Sequence, residues 1–140
     1  MKLSILDQSV AIANKCQDQV INDTLNLSII GEELGYSRFW ISEHHNHPTI
    51  IGTAPEVLMA AIAAKTNKIR IGSAGIMLPH YSSFKVAEQF RVLNSLAPNR
   101  IDLGLGRAPG SDGRTALALN SNNREFSENF PSHVRDLIAW

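Results

Sequence analysis

Four short runs rich in apolar and β-branched residues recur along the chain at a nearly constant interval. They occupy residues 3–6, 38–41, 69–72 and 101–105, and each is bounded by turn or helix-ending residues. Successive runs begin roughly thirty residues apart, which is the length of a strand, a crossover helix and two loops. The pattern therefore predicts four β-strands joined by helices.

The segment after the first run has helical periodicity. Val20, Leu27, Ile30 and Leu34 fall on one stripe of a helix. Gly35 follows the last of them, and a glycine at that place commonly ends a helix. We predict an amphipathic helix that stops at Gly35.

Three more helices are predicted downstream. Residues 53–56, Thr-Ala-Pro-Glu, have the form of a capping box with proline in the first turn. The apolar stretch 57–64 follows, so this second helix is expected to be almost wholly buried. The third has apolar residues at helical spacing from 86 to 97 and ends at Pro98, and the fourth begins near Pro131.

Strands and helices that alternate at this pitch imply parallel strands with right-handed crossovers. Two α/β architectures satisfy the pattern: an open doubly wound sheet, and part of a TIM-type (β/α)8 barrel. A complete barrel needs about 250 residues, so four β/α units are a half barrel. The last helix stops at Trp140 without a closing residue, which favours a truncated barrel, and residues 108–129 form the longest predicted irregular loop. We treat residues 1–140 as one domain.

Composition places the chain among globular proteins. It has 44% hydrophobic and 19% charged residues, and 13 basic and 13 acidic residues leave no net charge. Long-range attraction to nucleic acid or to an anionic membrane is therefore not expected. No apolar run approaches the roughly 20 residues that span a bilayer, and Asp7 comes too early for a secretory signal, so we expect a cytoplasmic protein. The single cysteine, Cys16, excludes an intramolecular disulfide and a zinc site of paired thiolates.

Residues that could support chemistry follow the predicted strands. In strand order they are Asp7, residues 43–45, residues 74–75 and Arg107. In a barrel the carboxyl ends of the strands form one face, and active sites lie on that face. Their common placement predicts a single site.

Residues 43–47, Glu-His-His-Asn-His, offer three imidazoles within four positions. Histidine acts as a general acid or base near neutral pH, which favours a catalytic or ligand-orienting role for at least one of them. A structural role at the barrel mouth is also open. Metal binding through His45 and His47 is a third alternative, although no second cluster of ligands follows.

Glycines surround the residues after the third and fourth strands. Residues 104–110, Gly-Leu-Gly-Arg-Ala-Pro-Gly, superficially match a dinucleotide fingerprint, but a proline stands where the third glycine belongs, and we reject that interpretation. Arg107 offers a planar fork to a phosphate, or else forms a surface ion pair, and Arg124 is a weaker phosphate candidate. Gly72 and Gly75 leave room for a flat ligand or permit a bend.

Four stretches resemble the bacterial-luciferase-like flavin monooxygenases in order and spacing. They are residues 39–46 (FWISEHHN), 71–79 (IGSAGIMLP), 86–90 (VAEQF) and 100–107 (RIDLGLGR). The resemblance implies a (β/α)8 barrel that holds reduced FMN, or a deazaflavin in some branches, at the carboxyl ends of its strands. It also implies a monooxygenase that uses reduced FMN and O2 to oxidise a small organic substrate. The matches at residues 43–46 and 106–110 favour FMN.

The resemblance implies roles for individual residues. His44 matches the family's active-site histidine, and Glu43 and His45 would orient or tune it. Ala74 and Gly75 match the place of a non-prolyl cis peptide under the flavin ring.

Two arginines match the phosphate site of the family. Arg107 matches a residue at the flavin phosphate, and Arg124 approximately matches a second one. No metal is expected.

Family members are roughly twice as long as this chain, so residues 1–140 correspond to the N-terminal half of such a barrel. The expected partners are flavin, a small-molecule substrate, a flavin reductase that supplies reduced FMN, and either further copies of the chain or a complementing second half. A non-catalytic flavin-binding module, and an inactive half barrel that needs a partner half, are the alternatives. No feature of the sequence identifies the substrate.

Overall fold

The computed structural model describes all 140 residues. The strands are β1 (Ser4–Asp7), β2 (Arg38–Ile41), β3 (Arg70–Ser73), β4 (Ile76–Met77), β5 (Ile101–Asp102) and β6 (Leu105–Gly106). The helices are α1 (Gln17–Glu33), α2 (Pro55–Lys65), α3 (Ser83–Leu96), α4 (Gly113–Leu119), α5 (Asn123–Glu128) and α6 (Phe130–Ala139). One turn of 3-10 helix, Leu78–His80, follows β4.

The principal sheet has four parallel strands in the order β1-β2-β3-β5. Spatial order therefore follows chain order, whereas a doubly wound sheet reverses its order at a switch point. The predicted half barrel is confirmed, and the open doubly wound alternative is wrong.

The third and fourth predicted strands are each divided into two pieces. β4 pairs with β6 in a separate parallel ladder beyond the ends of β3 and β5. At the break, the Ser73 hydroxyl donates to the Gly104 carbonyl at 2.9 Å and accepts from the Gly104 N–H at 3.1 Å. A side chain here replaces ladder hydrogen bonds, and the second ladder extends the strands towards the carboxyl face.

The apolar core lies between the sheet and its helices. Phe39, Ile41 and Ile71 alternate along β2 and β3 with residues of the opposite face and are fully buried. They belong to one cluster with Met59 of α2 and Val86 of α3. The opposite, inner face of the sheet remains partly open, since Leu6 is 58% exposed.

The buried face of α1 differs from the predicted stripe. Val20 is buried, but Leu27, Ile30 and Leu34 are exposed, and the helix is buried mainly through small or polar residues. A Cβ on Gly31 would lie 2.9 Å from Ile5 Cδ1, so α1 approaches β1 closely along small side chains. The predicted end of the helix is confirmed, because Gly35 follows it with φ +78°.

The start of α2 and the long loop also correct the sequence predictions. Ala54, without a side-chain hydrogen bond, is the N-cap of α2, so the predicted capping box is wrong, whereas Pro55 does begin the helix. The segment predicted as irregular contains α4 and α5. Asp112 caps α4 by accepting hydrogen bonds from the N–H groups of Arg114 and Thr115. An aspartate just before a polar helix start is the sequence feature that could have predicted α4.

The helices are too short or too polar for a bilayer. None combines the length and the apolarity that a membrane span requires.

Candidate active site

The segments that follow β2 and β6 meet at the carboxyl face of the sheet. The His45 N–H donates to the Gly110 carbonyl at 3.0 Å, and the Asn46 side chain donates to the Thr115 hydroxyl at 3.0 Å. The Asp112 carboxylate accepts hydrogen bonds from the backbone and hydroxyl of Thr115, which lowers its pKa to about 2. Residues 43–47 are thereby tied to residues 110–115.

Glu43 is the centre of a buried hydrogen-bond network. Its side chain is wholly inaccessible to solvent. Oε2 accepts from the Met77 N–H at 2.9 Å, and Oε1 accepts from the Tyr81 hydroxyl at 2.7 Å and from His45 Nε2 at 2.6 Å. The three donors come from three segments of the chain. Because all three partners donate, the carboxylate acts only as a hydrogen-bond acceptor.

Tyr81 belongs to this network and His80 lies beside it, edge-on to His45, and the sequence analysis selected neither. Burial, followed by the hydrogen bond to Glu43, raises the pKa of Tyr81 well above its usual value, so its hydroxyl stays protonated and donates. His80 is 7% exposed, and its Nε2 donates to the Pro109 carbonyl at 2.7 Å. The only feature of the sequence that could have selected them is their position directly after Pro79, at the end of the third predicted strand.

The histidines of the 43–47 segment have different surroundings. His45 is held by Glu43, and His47 Nδ1 accepts from the Thr49 N–H at 3.2 Å. His44 Nδ1 is buried and has no hydrogen-bond partner. Three or more His, Cys, Asp or Glu side chains that could hold a metal ion together do not occur in the structure. His44 therefore has the one ring nitrogen of the segment that is buried and uncommitted.

The Ala74–Gly75 peptide bond, between β3 and β4, is cis. The backbone of the neighbouring β5–β6 connection lies very close, since a Cβ on Gly75 would be 2.8 Å from the Gly104 carbonyl oxygen. Only glycine fits at position 75 without displacement of backbone. Two backbone segments thus run side by side at the carboxyl face.

Arg107 and Arg124 line one cleft of about 370 Å³. The other lining residues are Pro79, His80, Pro109, Asn123, Ser127 and Glu128. Arg107 Nε donates to the Ser127 carbonyl at 3.0 Å, and Arg124 Nε lies 3.2 Å from Glu128 Oε1. Arg107 is therefore not in a surface ion pair, which was one of its two predicted roles, whereas Arg124 is.

A family model described as luciferase-like monooxygenase matches residues 1–128 of the chain. The chain belongs to the luciferase-like monooxygenase family. The resemblance found in the sequence is thereby confirmed, and so is the prediction that the family is one of enzymes.

A curated relative of this luciferase-like chain is the N-acetyl-S-alkylcysteine monooxygenase of Bacillus subtilis (strain 168). It is 47% identical over 140 residues, which are 100% of this chain and 42% of the relative. The chain thus spans about two fifths of the relative's length.

Solved structures have the same fold. Apo-MsnO8 superposes with a TM-score of 0.91 at 38% identity, over 99% of this chain and 41% of that one. The oxygenating constituent of 3,6-diketocamphane monooxygenase from Pseudomonas putida, in complex with FMN, gives 0.83 at 21% identity, over 99% and 37%. An F420-dependent secondary alcohol dehydrogenase gives 0.64 at 15% identity, over 91% and 41%. The two more distant likenesses concern the fold alone.

Proposed function

We propose that residues 1–140 form the N-terminal half of a flavin-dependent monooxygenase that uses reduced FMN and O2 to oxidise a small organic substrate. The observation that carries the proposal is the cleft that contains both Arg107 and Arg124. Two guanidinium groups at the carboxyl face suit the phosphate of a flavin nucleotide. The family membership of residues 1–128 supplies the reaction class.

The other residues of the site fit a flavin as well. His44 Nδ1 is buried without a partner, which is costly unless a ligand or a proton uses it. Gly75 and Gly104 let the two backbone segments touch at the break between the two ladders, and this contact fixes the position of the Ala74–Gly75 segment at the carboxyl face. Ala74 and Gly75 would lie under the ring, and Arg107 and Arg124 would bind the phosphate.

The chemistry that reduced flavin supplies when bound is two-electron activation of O2, with one oxygen atom entering the substrate and the other leaving as water. His44 would hold or move the proton that this reaction requires, at Nδ1. Glu43 does not reach the cleft as a free base, because its carboxylate is occupied by three donors. Its role is to fix the orientation of His45, and both residues act as positioning residues beside His44.

FMN and a deazaflavin both carry phosphate, so the arginine cleft accepts either. We choose FMN because residues 43–46 and 106–110 match the luciferase-like branch in sequence. A flavin reductase would deliver the reduced cofactor, and we place the reaction in the cytoplasm.

The first experiment passes the 140-residue chain with FMN through size exclusion with light scattering and follows flavin absorbance. Co-elution of FMN with folded chain, and weaker retention of riboflavin at the same concentration, is the expected result. A folded chain that binds neither flavin would contradict the proposed cofactor role of this half. Binding without turnover after a second half is added would instead identify a flavin-binding module.

The catalytic role of His44 is tested in a protein completed with the remaining segment of the Bacillus relative. His44→Ala should lower substrate-dependent O2 consumption about 100-fold or more, since a general acid or base contributes at least that factor. His133→Phe, which keeps the ring that stacks on Phe126 of α5, is the control. Equal O2 consumption by the His44→Ala variant and the parent would show that His44 is not catalytic.

A further inference from the structure

The inner face of the sheet carries a cluster of charged residues at the end opposite to the proposed active site. Arg38 and Arg70 begin β2 and β3 and are paired in register. Asp102 ends β5, level with Gly72. This inner-face cluster, Arg38, Arg70 and Asp102, is separated from the helix-covered face by the sheet itself.

Gly72 lets Trp40 join the cluster. A Cβ at position 72 would lie 2.6 Å from the indole ring of Trp40 and 2.9 Å from Asp102 Cβ. The indole therefore crosses β3 at the one position without a side chain, and its Nε1 donates to Asp102 Oδ2 at 3.3 Å. The inner row of the sheet consequently presents an aromatic surface beside the charges.

The two arginines of the cluster are not equally satisfied. Arg70 bonds Asp102 through Nε and Nη2 and also donates to the carbonyl oxygens of Asn99 and Ile101. Arg38 donates only through Nε, at 3.2 Å to the same Asp102 carboxylate. Its two terminal nitrogens have no hydrogen-bond partner in the chain. Two guanidinium groups share one carboxylate, so the inner-face cluster has one positive charge in excess.

We infer that the surface covering this inner face carries a carboxylate that pairs with Arg38. The occupant is the set of strands that completes the barrel, apolar against Leu6 and Trp40 and with one Asp or Glu side chain reaching the free end of Arg38. Enclosing a guanidinium whose two terminal nitrogens have no acceptor is costly, so closure of the barrel favours an acid at this point. A second copy of the chain does not meet this requirement, because its own Asp102 is already shared by two arginines and its inner face repeats the excess charge.

The test measures association and is independent of flavin binding or oxidation. The probe is the part of the Bacillus N-acetyl-S-alkylcysteine monooxygenase that this chain does not cover, produced as a separate polypeptide and titrated against the 140-residue chain. We expect Arg38→Met to weaken the complex about tenfold or more, and Arg38→Lys, which keeps the charge, to weaken it less. Arg91→Met, on α3 behind the sheet, is the matched control and should leave the affinity unchanged.

The pairing carboxylate is then located in the probe. Replacing each Asp by Asn and each Glu by Gln in turn should reveal one change that reproduces the loss caused by Arg38→Met and adds nothing to it in a double-mutant cycle. The Arg38 variants must unfold at the same denaturant concentration as the parent when they are free, which separates lost contact from lost stability.

Three results would overturn the inference. The first is no association between the parent chain and a probe that circular dichroism shows to be folded. The second is equal affinity of the probe for Arg38→Met and for the parent. The third is a stable dimer of the chain alone that protects Trp40 from an aqueous fluorescence quencher in a Trp140→Phe background, since the occupant would then be a second copy.

Discussion

At the scale of single residues, neighbouring side chains in residues 43–45 differ in whether they have a hydrogen-bond partner. Glu43 and His45 are committed to each other, whereas His44, between them, keeps a buried ring nitrogen without a partner. Sequence identifies the segment because three imidazoles follow a strand. It does not distinguish the three positions, because their partners, Met77 and Tyr81, come from more than thirty residues away.

Replacing Glu43 tests the buried network. Glu43→Gln puts an amide N–H₂ group against donors that need an acceptor, so we expect a loss of about 2–3 kcal/mol in the free energy of unfolding. Tyr81→Phe removes one donor and should cost about 1 kcal/mol. Denaturant unfolding measures both. Glu88→Gln, in an exposed pair with Lys85, is the control and should change stability by less than about 0.5 kcal/mol.

Replacing Arg107 tests the phosphate site. Arg107→Met should weaken FMN binding about tenfold, because a charge-assisted contact with the phosphate is lost, and should leave riboflavin binding unchanged, because riboflavin has no phosphate. Fluorescence titration with the two flavins measures the difference. Arg135→Met, an exposed arginine on α6, serves as the control. An equal loss for both flavins would place Arg107 away from the phosphate.

At the scale of elements, one carboxylate joins the end of α1 to the start of β3. Glu32 accepts hydrogen bonds from the N–H groups of Asn67, Lys68 and Ile69 at distances between 2.5 and 3.0 Å. Burial acts to raise its pKa, but these donors and the nearby Arg100 outweigh burial, and the pKa of Glu32 lies below its usual value. The last turn of a helix thereby fixes the loop that leads into a central strand.

The lowered pKa of Glu32 predicts a pH dependence of stability. The folded state holds this proton less tightly than the unfolded state, so the stabilisation is complete above the ordinary carboxyl pKa of about 4.3 and is lost as the pH falls through the folded-state pKa. Glu32→Gln should therefore cost about 1 kcal/mol at pH 7 and progressively less in acid. Denaturant unfolding at several pH values measures this, with the exposed neighbour Glu33→Gln as control. A pH-independent difference between the parent and Glu32→Gln would show that charge is not involved.

At the scale of the whole molecule, the sheet is open at both edges. β1 and β5 each pair with one neighbour, and β2 and β3 pair with two. Unpaired edges and exposed apolar residues such as Leu6 favour association with a further polypeptide. The chain spans 42% of the Bacillus relative, whose remaining length is sufficient for further strands.

Amide hydrogen exchange tests which edges are covered. In the chain alone, the amides of β2 and β3 should exchange at least about tenfold more slowly than those of β1, because edge strands open more readily. Adding a second half should slow exchange in β1 and leave β2 nearly unchanged. Slow exchange in β1 before any addition would mean that a second copy already covers that edge.

The sequence by itself determined the alternation of the four main strands with their helices, the parallel direction of those strands, and the placement of the candidate residues at one face. The choice of a half barrel over an open doubly wound sheet came from the family resemblance and from the strand order in the structure. The periodicity of apolar residues, the turn residues and the motif spacing are properties of the local sequence. They can therefore be recognised without knowledge of the tertiary contacts. The same local reasoning was wrong for the buried face of α1 and for residues 108–129. Which face of α1 is buried depends on how closely Gly31 lets that helix approach Ile5, and α4 depends on a cap whose signal is weak in isolation.

Only the tertiary structure decided the partners of each side chain. It divided two strands at the Ser73–Gly104 contact, brought Arg107 and Arg124 to one cleft, and left Arg38 to share the Asp102 carboxylate with Arg70. Each of these contacts involves residues that are far apart in sequence. The distance between those residues in space is set by the packing of the whole sheet and its helices.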